Sequence, residues 1–241
     1  MGAVIAAVWV VVYAIAFVSV EPILPFTLGY DKGFTLVQLS SYSFIHFSLR
    51  HLTFDLIWLG GLINIGRKHL SLAGFIRVYS LGAIGGGLIR LSLLWLFGEE
   101  GYVVGANLPI LTMLGAMTVL EQDRVSIFED DPPKDPPELK VFSFMAWLFL
   151  IVVPALFGSN FIAWLLLNVL SDGLVFILAL FRIRLMRIAV VWLLADLIIW
   201  LCWDFRPDVF LADVAALGLG MGYVLVERLG RKFEARAQTA S

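Results

Sequence analysis

Long apolar runs recur along the whole chain, and they leave such a sequence little choice of fold. Residues 3–20, 44–65, 72–97, 104–121, 141–157, 160–182, 187–203 and 208–228 each read as a hydrophobic stretch bounded by polar residues. About 20 residues of helix cross a bilayer. In lipid every backbone polar group has to be satisfied within its own segment, which a helix does and an isolated strand does not. The chain is 61% hydrophobic and only 15% charged, so a single soluble globular domain is not a workable alternative. The expected fold class is therefore an all-α polytopic membrane protein, one domain over residues 1–241 with about eight spans.

The connections fall into two sets. One carries Arg67, Lys68 and His69, then Arg124, Lys134 and Lys140, then Arg182, Arg184 and Arg187, then Arg228, Arg231, Lys232 and Arg236. The other carries Glu21, Asp31, Lys32, Glu99, Glu100, Asp204, Arg206 and Asp208. Basic residues mark cytoplasmic loops, which places the first set and both termini in the cytoplasm. The localisation expected is a membrane crossed several times by the chain. Merging 141–182 into one span would put Arg182–Arg187 outside, so two spans are read there. No Lys or Arg precedes the first apolar run and no small-residue cleavage site follows it, so a retained helix is expected rather than a signal peptide. Met-Gly without Ser or Thr at the sixth position argues against myristoylation. Residues 122–140 form an acidic loop with two Pro-Pro pairs, read as a stiff solvated linker. Residues 229–241 read as a cytoplasmic tail. Cys202 is the single cysteine, which excludes an intrachain disulfide and a cysteine-only metal site.

"HFSLRHLTFDLIW", residues 46–58, places His46, Arg50, His51 and Asp55 inside an apolar run. Ionisable groups are costly in hydrocarbon and face a protein interior or a wet cavity. His51 and Asp55, four apart, share a helical face, and His46 and Arg50 make a second pair on the same reasoning. Counting turns from the outer ends puts Arg90, Asn107, Asp196 and Asp213 at similar depth. The cavity-lining candidates are His46, Arg50, Arg90 and Asp196. The plain structural reading is that Arg50 and Arg90 pair with Asp55, Asp196 or Asp213. Ala212, Ala216 and Gly220 form a small-residue stripe suited to close helix packing, with Gly105 counted among the packing residues. Asn107 before Pro109 suits a helix N-cap. Ser48 reads as a helix residue bonded to its own turn.

Three segments, in order, resemble the rhomboid intramembrane serine proteases. "IHFSLRHLTFDLIWLGG" is similar to the helix that supplies a histidine and an asparagine to the oxyanion hole; His51 matches the histidine, and Asp55 stands at the asparagine. "GANLPILTMLGAM" resembles the Gly-x-Ser-Gly segment; Gly105 matches, Asn107 replaces the nucleophile, and Leu108 replaces the second glycine. "ADVAALGLGMG" resembles His-x-x-Gly-x-x-x-Gly; Asp213 replaces the base, Ala216 the first glycine, and Gly220 matches the second. The likeness covers about 44–121 and 185–230. It implies a six-helix core in which 141–184 is an inserted transmembrane hairpin, and in which Asp55 and Asp213 occupy positions that face each other.

On this resemblance His51, Asp55, Asn107 and Asp213 are degenerate active-site positions. Rhomboid chemistry needs a serine hydroxyl and a histidine base, so the expected function is a catalytically inactive rhomboid-like protein. It would bind other transmembrane segments or serve as a subunit or assembly factor of a membrane complex. Partners expected are membrane lipid and other transmembrane proteins, with no nucleic acid, no cofactor and no metal. The alternative is an intramembrane hydrolase of non-serine chemistry using Asp55 and Asp213, either as a carboxylate pair or holding a metal with His51. A proton or ion relay through His46, His51, Asp55, Asp172, Asp196 and Asp213 is the third reading; no inverted repeat supports it.

Overall fold

The computed structural model describes residues 2–29, 35–99, 101–121, 124–125, 183–184, 189–190, 192–193 and 207–240. The spans read at 141–157 and 160–182, most of the seventh, nearly all of the 122–140 loop, and Asp172, Asp196 and Cys202 lie outside them. Arg50 falls in a helix, but its side chain also lies outside the described set.

The chain opens with helix α1 (Gly2–Val18), followed by strand β1 (Leu28–Gly29) and helix α2 (Leu36–Ser41). Next come α3 (Leu49–Gly66), α4 (Leu72–Leu81), a π-helical turn (Gly82–Gly86) and α5 (Gly87–Phe97). After β2 (Tyr102–Val103) follow α6 (Asn107–Leu120), β3 (Arg124–Val125), β4 (Ile183–Arg184) and α7 (Pro207–Ala240). Among the described residues, two helices are long and apolar enough to cross a membrane, Leu72–Phe97 and Pro207–Glu234; Val4–Val18 and Asn107–Leu120 are shorter apolar helices.

Helix α6 is the centre of the molecule. Every residue from Leu108 to Thr118 is buried, and α7, α4, α3 and the π-turn pack around it. Such an all-round apolar helix is stable only when other helices surround it. Small residues permit the approach. A Cβ on Gly220 would overlap the carbonyl of Thr112, and one on Gly115 would overlap the carbonyl of Leu217. Ala212 and Ala216 are buried on the same helix, α7. On the opposite flank, a Cβ on Gly82 would lie 2.6 Å from the Pro109 Cα. The glycine-rich run 82–86 forms a π-turn where its backbone comes close to that of α6.

Three sequence expectations change. The apolar run predicts helix from 44, yet α3 starts at Leu49, with the Ser48 side chain accepting the His51 N–H as N-cap. Ser48 is thus a cap and not a mid-helix residue, and His46 sits in the non-helical approach to α3. The 3.6-residue pairing of His46 with Arg50 consequently has no helix to act through. Asn107 is the first helical residue of α6, not its cap; Ala106 occupies the cap position without a side-chain bond. The last helix runs on from the expected end at 228 to Ala240.

β3 pairs antiparallel with β4, Arg124 opposite Arg184. β1 pairs with β2, Leu28 opposite Val103. That second ribbon ties the chain after α1 to the segment leading into α6.

Candidate functional site

Three pieces of chain converge on the start of α6. The first is the approach 43–48, where Tyr42 and the residues after it turn inward. Buried Tyr42 donates to the Ala83 carbonyl in the π-turn at 2.9 Å. Burial, with Tyr79 beside it, holds the Tyr42 phenol far above its usual pKa, so it stays a neutral donor. The Gly105 N–H in turn donates to the Tyr42 carbonyl. The second piece is α3, and the third is the turn 104–106.

His46 and Asp55 are both fully buried, with Nε2 2.9 Å from Oδ2. The same Oδ2 accepts the backbone N–H of Ala106 at 2.9 Å, and His51 Nε2 lies 3.5 Å away. Asp55 therefore binds the approach to α3, and α3 itself, to the cap residue of α6. His51, with a quarter of its side chain exposed, reaches Asn107 Oδ1 at 3.2 Å. Its imidazole lies over Gly105, whose φ of 91° and lack of Cβ are both required there, since a Cβ would overlap the ring. Gly105 is thus a residue of the site and not, as expected from sequence, of a helix interface. The Trp9 and His46 rings lie 5.1 Å apart, and so do those of His46 and His51.

On the other side of Asn107 lies a cavity of about 130 Å³. Asn107, Leu108, Gly105, Tyr42 and Val103 line it from one side, Arg90 from α5, and Val209, Ala212 and Asp213 from α7. Asp213 is buried. Arg90 is bonded at 2.7 Å to Asp208, a fully buried carboxylate in the first turn of α7, where the helix dipole favours a negative charge. Asp213, one of the expected partners of Arg90, borders the same cavity; depth alone does not reveal the ion pair that Arg90 makes with Asp208 at the start of α7. Leu108 replaces a glycine of the family pattern, and its bulk is accepted because Gly86 lies opposite it with no side chain.

Sequence reasoning does not single out Asp208, Tyr42 or Tyr102 as site residues. The signal for Asp208 is its place directly after Pro207, an acidic residue in a helix first turn. The resemblance sets Asp55 and Asp213 face to face. The structure instead gives Asp55 to His46 and to the Ala106 N–H, and Asp55 does not line the cavity that Asp213 borders.

Residues 33–167, more than half of the chain, match the family model for the Rhomboid domain. The fold around α6 and this match define a helical membrane protein of the rhomboid class. The chain belongs to the rhomboid family. The match begins before the stretch read as similar from motifs, takes in part of the segment read as an insertion, and ends before α7. No individual curated protein matches the chain.

Proposed function

We propose that this protein is a catalytically inactive rhomboid-like membrane protein that engages other transmembrane segments, as a binding partner or as a subunit or assembly factor of a membrane complex. One observation carries the reading. The side chain that reaches the His51 imidazole from the start of α6 is the amide of Asn107, and the cavity lining around it contains no Ser, Thr or Cys among the described residues. A carboxamide is not a nucleophile that can form an acyl-enzyme. Asp213, at the position of the base, brings a carboxylate where imidazole chemistry is needed. Ser48, the N-cap of α3, uses its side-chain oxygen to accept the His51 N–H.

The site lies in the inner membrane, with both termini cytoplasmic and eight spans. The β3–β4 ribbon supports this topology. It brings Arg124 beside Arg184, so the chain between them leaves and returns at one place, as an even number of spans requires. Reporter fusions after Lys68, after Arg184 and at the C-terminus should read cytoplasmic, and fusions at 99–101 should read outside. An outside signal after Arg184 would refute the eight-span arrangement.

The functional test uses full-length protein reconstituted in liposomes with labelled single-span segments of the kind rhomboid proteases cleave. Energy transfer reporting association, with no cleavage on prolonged incubation, is the expected result. Cleavage would overturn the inactive reading, and absence of association would overturn the transmembrane-binding role.

A further inference from the structure

Asp55 is a fully buried carboxylate. Among the described residues its side-chain ion-pair partners are two imidazoles, with no Lys or Arg. A buried charge is normally paired or bound to a metal. Its Oδ1 is also buried and, among the described residues, has no hydrogen-bond partner. Donors thus crowd one oxygen while the other has none.

Distances around His51 add a second indication. Its Nε2 has two oxygen neighbours, Asn107 Oδ1 at 3.2 Å and Asp55 Oδ2 at 3.5 Å. These lie at or past the long end of an N–H···O hydrogen bond. An imidazole nitrogen carries a single hydrogen or a single lone pair, so it cannot serve both oxygens well. Two ligand atoms on a tetrahedral zinc, each about 2.0–2.1 Å from the metal, are by contrast about 3.3 Å apart. The separations 2.9 Å, 3.2 Å and 3.5 Å along the chain His46–Asp55–His51–Asn107 bracket that edge. One ligand atom each from His46, His51 and Asp55 all fall within 4.8 Å of one another.

We propose that His46, His51 and Asp55 form a binding site for a divalent transition metal of the zinc type, with the Asn107 carbonyl oxygen as the fourth donor. Two imidazoles, a carboxylate and an amide oxygen suit a borderline cation and not a hard one such as Mg2+. With four protein donors the site is of the closed, structural kind. It clamps three things together: the approach to α3, α3 itself and the start of α6. The partial exposure of His51 supplies the route of entry. This site differs from the hydrolase alternative, because Asp213 is not among its three charged or imidazole ligands. It is independent of the inactive-protease reading, which rests on the missing nucleophile.

The protein contains only three histidines, which makes the test sharp. Full-length protein carrying a tag without histidine is stripped with chelator in detergent and exposed to Zn2+ or Co2+ alone. The expected result is about one metal per chain by elemental analysis, the visible absorption of tetrahedral Co2+, and a higher melting temperature than the stripped protein. His51→Gln, at a partly exposed position, should weaken binding about tenfold or more, and His69→Ala should leave it unchanged. X-ray absorption on zinc-loaded wild-type protein should show two imidazole ligands and oxygen, whatever the fate of the variants. Folded wild-type protein that takes up no metal at micromolar Zn2+ would overturn the proposal. So would equal binding by His51→Gln, or a coordination shell without two imidazoles.

Discussion

The start of α6 separates two polar regions that differ in almost every physical respect. Toward α3, His46 and Asp55 are fully buried and bonded to each other and to the Ala106 N–H. Toward α5 and α7, Asp213 and Arg90 border a cavity of about 130 Å³, large enough for several waters. On the first side a lost partner leaves a fully buried carboxylate without its counter-group. On the second, water can replace a lost side chain. On the proposed reading the fold depends on the closed side for stability and on the open side chiefly for the cavity's shape.

His46→Ala should break this contrast open most visibly. It strands the Asp55 carboxylate, and removing one partner of a buried pair costs about 3–5 kcal/mol. Thermal unfolding in detergent measures it. A loss no larger than that of a surface change such as Glu99→Gln would show that the closed side is not structural.

Gly220→Ala tests the close contact between α6 and α7. The added Cβ meets the backbone of α6, not a flexible side chain, so α7 has to move. Overpacking of this kind costs about 1–3 kcal/mol, and the upper end is expected here. Unaltered stability would mean that α6 and α7 do not meet backbone to backbone at this point.

Asp213→Ala should have the smallest effect of the three, about 1–2 kcal/mol, because polar groups left behind can be hydrated within the cavity. It should still exceed Glu99→Gln. If Asp213→Ala proved more damaging than His46→Ala, the assignment of closed and open sides would be reversed.

Much of this layout is legible in the sequence, for a specific reason. Helical period and span length yield an expected depth, so the amino-acid order alone assigns Asp55, Asn107 and Asp213 to the outer half of the membrane. Azimuth is not legible. Arg90 can be counted to the right depth, but the helix carrying it turns it to Asp208. The start of α3 is hidden because the apolar character of residues 44–47 masks the Ser48 cap. That single misplacement also hides the contact between His46 and Asp55, since two residues nine apart meet only when the chain between them is not continuous helix. The motif points to Gly105, but its positive φ and the His51 ring lying over it are not legible in the sequence.

The central claim is that this rhomboid retains the layer around Asn107 without the chemistry. Fluorophosphonate labelling of the purified protein in detergent, beside an active rhomboid protease as control, addresses it most directly, since the probe reports an activated serine and nothing else in the fold. No labelling is expected, from wild-type protein or from each serine-to-alanine variant. Labelling that one of those variants abolishes, Ser48→Ala above all, would reveal a working nucleophile and contradict the account.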